Sequence, residues 1–248
     1  MSVSSLPKYD FIQHQDEYIN KEYGHLDGVE LLNVVLKELF VGRVAATTSF
    51  GTESAVLLAM IAKVDKHTPV IFIDTGKHFS LTHDYRQQLT QFLGLSNIQV
   101  VAPKAENIDR LDPKGDLNQR DADLCCNLRK VEPLDRVITG YDAWITGRKR
   151  YHGDERTKLQ SIETVNGQSK INPLAGWGKT EIDRAFAQWK LPRHPLEKRG
   201  FPSVGCQPCT NAASCGGGLR DGRWRGSNKT ECGIHKPRSN RVIPLIVK

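Results

Sequence analysis

The feature that most constrains this sequence is the alternation of short, almost wholly apolar runs with longer helical stretches. With helices between them, such runs are typical of a parallel sheet that is covered on both faces. The predicted strands are residues 43–49, 69–74, 98–101 and 142–146, and the predicted helices are residues 53–64, 78–93 and 180–189. We therefore predict an α/β fold built on a parallel sheet with helices on both faces.

Composition divides the chain into three parts. Residues 1–40 form an N-terminal helical lead-in, since Leu31, Leu32 and Val35 recur at helical spacing. Residues 41–191 contain the alternating strands and helices of a nucleotide-binding domain. In residues 192–248 proline, glycine and charged residues dominate, which favours an irregular C-terminal extension over a second hydrophobic domain.

Positive charge is concentrated in the last 49 residues. The 248-residue chain has a net charge of +7, and residues 200–248 hold eight Lys or Arg and two acids, so +6 lies there. A segment this basic is either a solvated tail or the binding site of an acidic partner: nucleic acid, a phosphorylated small molecule or an acidic protein face.

Neither a membrane span nor a secretory signal is predicted. The longest apolar run, residues 55–62, is far shorter than the roughly 20 residues that a spanning helix needs, and residues 1–18 have no apolar core. We therefore expect a cytoplasmic protein. Because thiols stay reduced there, the six cysteines point to metal binding or catalysis rather than to disulfides.

Two predicted strands end in polar, glycine-containing turns. The joint after the first strand contains Ser49, Gly51, Glu53 and Ser54, and the joint after the second contains Asp74, Thr75 and Gly76. Ligands of open parallel sheets bind at the carboxyl ends of strands, beside helix N-termini. Each turn alone is a weak signal, but two on consecutive strands favour a nucleotide site.

Four of the cysteines form two close pairs. Cys125 and Cys126 are adjacent, and Cys206 and Cys209 are separated by two residues. Two such pairs are a common way to hold one metal centre. The spacing does not separate zinc from iron–sulfur, and buried free thiols are the alternative without a metal.

Cys232 has the surroundings of a nucleophile. It lies within the basic tail and is followed by Gly233, so nearby cations favour the thiolate over the thiol. The alternative is an incidental exposed cysteine. Cys215 is left without a partner or an explanation.

These motifs occur together, in this order, in one family. From about Thr47 to His235 the chain resembles the assimilatory sulfonucleotide reductases, and most closely their adenylyl-sulfate (APS) reductase branch. The matching segments are the two joints, Cys125-Cys126-Asn127-Leu128-Arg129-Lys130, Lys170-Ile171-Asn172-Pro173-Leu174, the pair Cys206 and Cys209, and Glu231-Cys232-Gly233-Ile234-His235.

The resemblance implies an adenine-nucleotide α-hydrolase-like fold, related to the PP-loop enzymes, and a [4Fe–4S] cluster on the two cysteine pairs. It also implies thioredoxin-dependent reduction of APS to sulfite and AMP, in assimilatory sulfate reduction and cysteine biosynthesis. Cys232 attacks the sulfonate sulfur in this scheme, and thioredoxin or glutaredoxin then reduces the S-sulfocysteine. Paired cysteines mark mostly APS-specific members, so APS is the expected substrate. The alternative is the 3′-phosphorylated nucleotide, PAPS, or both.

Cations are the natural stabilisers of an anionic substrate and of the leaving phosphate. The basic candidates for substrate binding are Lys130, Arg150, Arg156, Arg220, Arg223 and His235. The family's Gly-[Ile/Leu]-Arg-Arg pattern is Gly147-Arg148-Lys149-Arg150 here. Which of these three basic residues contacts the substrate therefore stays open.

Two other functions are compatible with parts of the sequence. A zinc-stabilised nucleic-acid-binding protein would use the four cysteines and the basic tail, but it leaves Cys232 and the first joint unexplained. A PP-loop adenylating or tRNA-thiolating enzyme would have glycine and aspartate where Phe50 and Glu53 stand. We therefore expect no nucleic-acid or membrane partner, and a homo-oligomer is left open.

Overall fold

The computed structural model describes residues 17–153, 156–214, 218–225 and 229–236. At its centre lies a six-stranded sheet with the spatial order β3-β2-β1-β4-β6-β5. The strands are β1 (Val44–Thr48), β2 (Val70–Ile73), β3 (Ile98–Val101), β4 (Ala143–Ile145), β5 (Ile162–Val165) and β6 (Gln168–Ile171). All neighbouring strands are parallel except β5 and β6, which form an antiparallel hairpin. The predicted α/β fold with a parallel sheet is confirmed.

Helices connect the strands and precede and follow them. They are α1 (residues 17–23), α2 (Gly28–Val34), α3 (Ser54–Val64), α4 (Ser80–Leu93), α5 (Ala105–Leu111), α6 (Leu117–Arg120), α7 (Ala122–Cys126), α8 (Glu132–Ile138) and α9 (Lys179–Gln188). Wide π-helical turns extend α2 through Val35–Leu39 and join α7 to α8 through Asn127–Val131.

The sheet is covered on both faces. Along β1, Ala46 packs into the large core with α2, α3 and α9, whereas its neighbour Ala45 faces a smaller cluster with Leu134 and Ile138 of α8. Successive side chains of a strand point to opposite faces, so a strand buried on both sides must be apolar at every position. This explains the continuous apolar runs.

The connection of the strands fixes where a ligand can bind. From β1 the chain moves outward through β2 to β3, and it then returns to β4 on the other side of β1. The strand order thus reverses between β1 and β4. In open α/β sheets the binding crevice lies at such a point, outside the carboxyl ends of the strands.

The N-terminal lead-in packs into the main domain, whereas the C-terminal extension is largely irregular. Leu31, Leu32 and Val35 are fully buried in the large core, so the described part of the lead-in belongs to the main domain. The described residues beyond 192 form two short 3₁₀ turns and no longer helix or strand. In the described part of the chain, no helix combines the length and apolar character of a membrane span. Cys215 lies outside the described residues.

Candidate active site

A cavity opens where the strand order reverses. Its walls come from the residues that follow β1 and β4, from the turn after α7, and from the C-terminal extension with its tail. The predicted site residues that line it are Ser49, Gly51, Glu53, Ser54, Lys130, Arg156, Arg220, Arg223, Cys232 and His235. Segments far apart in sequence thus meet at one place, with the predicted nucleophile among them.

The joint after β1 is a tight, closely packed turn. Phe50 has a left-handed backbone (φ 47°) and is held by its buried ring, which packs edge-on against Phe72. A Cβ on Gly51 would lie 3.2 Å from the Val204 carbonyl oxygen and within 4 Å of the hydroxyls of Ser49 and Ser54. The two hydroxyls therefore converge around Gly51, and glycine leaves room for the loop opposite.

Glu53 is held by the loop that follows β4. The Tyr151 hydroxyl donates to Oε1 at 2.5 Å, while His152 Nε2 and Lys149 Nζ contact Oε2 at 3.0 and 2.9 Å. Burial opposes the charge of Glu53, but the hydrogen bond from His152 and the charge of Lys149 outweigh it and hold the pKa of Glu53 well below its ordinary value. Glu53 is therefore an ionised anchor for this loop.

The joint after β2 does not line the cavity; it faces the cysteines. The Thr75 hydroxyl lies 3.2 Å from Cys206 Sγ, and the Thr75 carbonyl accepts a hydrogen bond from Arg129 Nη1 at 2.8 Å. Asp74 Oδ1 accepts from the Gly76 N–H at 3.0 Å and so closes the turn. This joint lies one strand away from the reversal point, which explains its different neighbours.

The first cysteine pair lies on a capped helix. Asp121 caps α7 by accepting the N–H groups of Asp123 and Leu124 at 3.0 and 2.9 Å, and Cys125 and Cys126 are both buried. Beyond the pair, Arg129 forms a buried ion pair with Asp112 at 2.6 Å. Together with its bond to Thr75, this pair fixes α7 against the joint after β2.

The second pair reaches the same region from the extension. Cys206 forms an isolated β-bridge with His78 and is buried, while Cys209 is partly buried. Burial raises the pKa of the Cys125 thiol to about 11, and the charges of Cys206 and Cys209 add to this rise. The two pairs are therefore close enough to interact electrostatically.

The four cysteines are the candidate ligands of one metal group. Among the described residues, no three His, Cys, Asp or Glu side chains converge with the geometry of a bound metal ion. The chemistry of the donors nevertheless fits an iron–sulfur cluster, because Cys125, Cys126, Cys206 and Cys209 are all free thiols, at least partly buried, on two facing segments.

Lys130 lies between the cysteine pairs and the cavity. Burial disfavours its charge, but Cys206, Cys232 and Cys126 outweigh this effect and raise the pKa of Lys130 above its ordinary value. The side chain also hydrogen bonds to Cys206. Lys130 is thus a permanent cation that faces both the cysteine pairs and Cys232.

The tail is tied to the cavity on both sides of Cys232. Before it, Glu231 accepts from Arg156 Nε at 2.5 Å, and its second oxygen lies 3.5 Å from Arg220. After it, His235 stacks on Trp144 at 5.7 Å between ring centroids. Burial, followed by nearby cations, holds the pKa of His235 well below its ordinary value, so its imidazole is neutral. Its buried Nδ1 has no hydrogen-bond partner among the residues that the structure describes.

The three basic residues that follow β4 take different positions relative to the cavity. Arg148 and Lys149 line the cavity, whereas Arg150 begins a 3₁₀ turn and donates from Nε to the Leu159 carbonyl at 2.7 Å, outside the cavity lining. Of the two arginines in this stretch, Arg148 therefore lines the cavity and Arg150 does not.

Tyr151, His152 and Lys170 were not predicted as site residues, although Lys170 lies in one of the segments that match the family. His152 and Tyr151, which grip Glu53, follow the basic stretch directly, and that position was the only available signal. Lys170 of β6 is 1% exposed and lies 5.1 Å from the Trp144 ring and 3.8 Å from Glu163. Burial and the charge of Arg148 lower the pKa of Lys170 to about 7.

Comparisons with known proteins agree with this architecture. Residues 43–212 match the model of the phosphoadenosine phosphosulfate reductase domain. An adenosine 5′-phosphosulfate reductase of Mesorhizobium japonicum is 46% identical, with 86% of this chain and 84% of that protein covered. A phosphoadenosine 5′-phosphosulfate reductase of Gloeobacter violaceus is 36% identical, with 79% and 83% covered.

A solved structure supports the same conclusion. The phosphoadenylyl-sulfate reductase of Candida auris, crystallised as a phosphate complex, has a TM-score of 0.68 and 28% identity, with 80% of this chain and 97% of that chain covered. The family model covers well over half of the present chain and includes both joints, the basic stretch and both cysteine pairs. The chain belongs to the phosphoadenosine phosphosulfate reductase domain family.

Proposed function

We propose that this protein reduces APS to sulfite and AMP, with thioredoxin or glutaredoxin as the electron donor. One observation carries the proposal: Cys232 lies in the same cavity as the Ser49 and Ser54 hydroxyls and several cations. A sulfonucleotide offers anionic groups for the cations and an electrophilic sulfur for the thiolate. The relative from Mesorhizobium japonicum bears the corresponding name.

The reaction proceeds in two displacements. The Cys232 thiolate attacks the sulfonate sulfur, the bond from that sulfur to the phosphate oxygen breaks, and its electron pair leaves with AMP. A thiolate of the reductant then attacks Cys232 Sγ and displaces sulfite, which takes the electron pair of the S–S bond. The second thiol of the reductant releases Cys232, so the dithiol loses the two electrons that the sulfur gains.

The cavity residues stabilise the charges that this chemistry creates. Lys130 and Arg223 face the place where the sulfonate meets Cys232, and the hydroxyls around Gly51 bind the nucleotide phosphate. Arg148 adds a third cation from the loop after β4. We keep Glu53 in the site as the group that orders this loop rather than as a ligand for the nucleotide.

A [4Fe–4S] cluster on Cys125, Cys126, Cys206 and Cys209 belongs to the proposal. When bound, it supplies negative charge beside the Lys130 ammonium. Iron analysis and a visible absorption spectrum of protein purified without oxygen test this part, because a cluster is coloured and contains iron, whereas zinc on the same thiols is colourless.

The activity is tested by measuring sulfite and AMP formed from APS, and separately from PAPS, with each reductant. PAPS is included because the Gloeobacter violaceus and Candida auris proteins carry its name. The expected result is turnover of APS by the native protein and by Cys215→Ser, and none by Cys232→Ser. Turnover of PAPS alone, or activity in Cys232→Ser, contradicts the proposal.

A further inference from the structure

A continuous hydrogen-bonded chain runs from the first joint to the tail. His152 Nε2 lies 3.0 Å from Glu53 Oε2, and Arg156 Nη1 lies 3.0 Å from His152 Nδ1. Arg156 Nε then donates to Glu231 Oε1 at 2.5 Å. The chain therefore connects the start of α3 with the residue that immediately precedes Cys232.

The chemistry of the partners fixes the proton on His152. A guanidinium donates hydrogen bonds and accepts none, so Nδ1 of His152 is the acceptor from Arg156. The ring proton must then be on Nε2, where it is donated to the ionised Glu53. Burial lowers the pKa of His152 from its ordinary value, which keeps the ring neutral. Each member of the chain thus orients the next.

The two ends of this hydrogen-bonded chain, Glu53 and Glu231, are fixed in different ways. Glu53 is held by Tyr151 and Lys149 in addition to His152, and it immediately precedes helix α3, which is buried in the core. At the other end Glu231 is 7% exposed. A buried carboxylate needs its partners, because it is costly to leave a charge unpaired away from water.

We propose that this chain is a positioning relay, which holds Glu231 and thereby fixes Cys232 at the cavity. The relay consists of Glu53, His152 and Arg156. The inference depends on the proposed function only where it treats Cys232 as the nucleophile. None of the three side chains has to touch the reacting sulfur for the relay to act.

The relay predicts how firmly the tail is held, which limited proteolysis measures. Trypsin cleavage after Lys229 requires the tail to leave its position, because the Lys229 side chain is 9% exposed and paired with Asp123. When the tail opens and closes faster than trypsin cleaves it, the cleavage rate is proportional to the fraction of molecules in which the tail is open. The experiment uses the full chain with its metal group and quantifies the peptide that begins at Thr230 by mass spectrometry.

Glu231→Gln and His152→Phe should each raise this rate about tenfold, the factor expected when a charge-assisted hydrogen bond is weakened. The double variant should cleave no faster than Glu231→Gln alone, because both changes break one chain. His152→Asn, whose amide oxygen takes the place of Nδ1, should fall between the native protein and His152→Phe. The matched control, His67→Phe at an exposed histidine, should cleave at the native rate.

Two results overturn the relay: a native cleavage rate in both His152→Phe and His152→Asn, or a double variant in which the two effects multiply. The native protein is also tested for S-sulfo-Cys232 after incubation with APS. Adduct formation together with either result overturns the relay alone. Relay-dependent cleavage without an adduct overturns the proposed function and leaves the relay standing.

Discussion

His194 should make the protein sensitive to acid, and the structure gives the size of the effect. The ring is completely buried, its Nδ1 accepts the Leu196 N–H at 3.2 Å, and its Nε2 lies 3.2 Å from the Thr82 hydroxyl. The ring also packs edge-on against Tyr85. Protonation places a second N–H at Nδ1, directly against the N–H of Leu196, in a fully buried site.

Burial lowers the pKa of His194 to about 4, against an ordinary value of 6.5. Between these values the unfolded chain binds more protons at this residue than the folded one, so stability is lost as the pH falls from 6.5 towards 4. At roughly 1.36 kcal/mol for each unit between the two pKa values, the full loss is about 3 kcal/mol, and about 2 kcal/mol of it is reached by pH 5.

The assay is urea unfolding at pH 7 and pH 5 for the native protein and His194→Gln. Other buried groups also change their protonation over this pH range. Their contribution is the same in both proteins, so it cancels when the pH-dependent loss of the variant is subtracted from that of the native protein. Between the two pH values the native protein should lose about 2 kcal/mol more than the variant. Parallel losses in the two proteins would show that His194 is protonated freely in the folded state and would refute the argument.

Two further substitutions test the packing around the cysteines and the cavity. Asp112→Ala should lower the unfolding free energy by about 3–5 kcal/mol, because it leaves the buried guanidinium of Arg129 without its ion-pair partner. The control Asp116→Ala, which breaks an exposed ion pair, should lower it by less than about 1 kcal/mol. Equal losses in the two variants would contradict the role of burial. Gly205→Ala places a Cβ 2.3 Å from the present position of Arg223 Nη2. The Arg223 side chain should move aside, because a flexible side chain moves more easily than backbone, so the variant should keep its unfolding free energy. The displaced guanidinium should raise KM for APS about tenfold. An unchanged KM would show that Arg223 does not bind the substrate.

The central strands of the sheet were predictable from the sequence because a strand buried on both faces must be apolar at every position. Strand β3 occupies the predicted residues, while β1, β2 and β4 end within one residue of their predicted ends. The β5–β6 hairpin was missed although Asn166-Gly167 is a strong signal for a two-residue turn, and both residues have the positive φ that such a turn requires. The reason is that β6 carries buried polar residues such as Lys170, which hide the strand pattern.

Sequence motifs predicted which residues line the cavity better than they predicted the contacts among those residues. Sequence motifs identified Glu53, Arg156 and Cys232 as site residues, and all three line the cavity. Nothing in the sequence indicated that Glu53 is held by His152, a contact that spans 99 positions. Such pairings depend on which loops the sheet brings together. The same reason explains Arg150, whose side chain is diverted to a backbone carbonyl by the local 3₁₀ turn.

The central claim is that Cys232 is the nucleophile that receives the sulfo group. The most direct measurement is an intact-protein mass spectrum of anaerobically purified protein after incubation with APS and without reductant, followed by peptide mapping. The account predicts the gain of one sulfo group per chain, located on Cys232 and removed when thioredoxin is added. Protein that contains its metal group but forms no adduct, or carries the group on another cysteine, would contradict it.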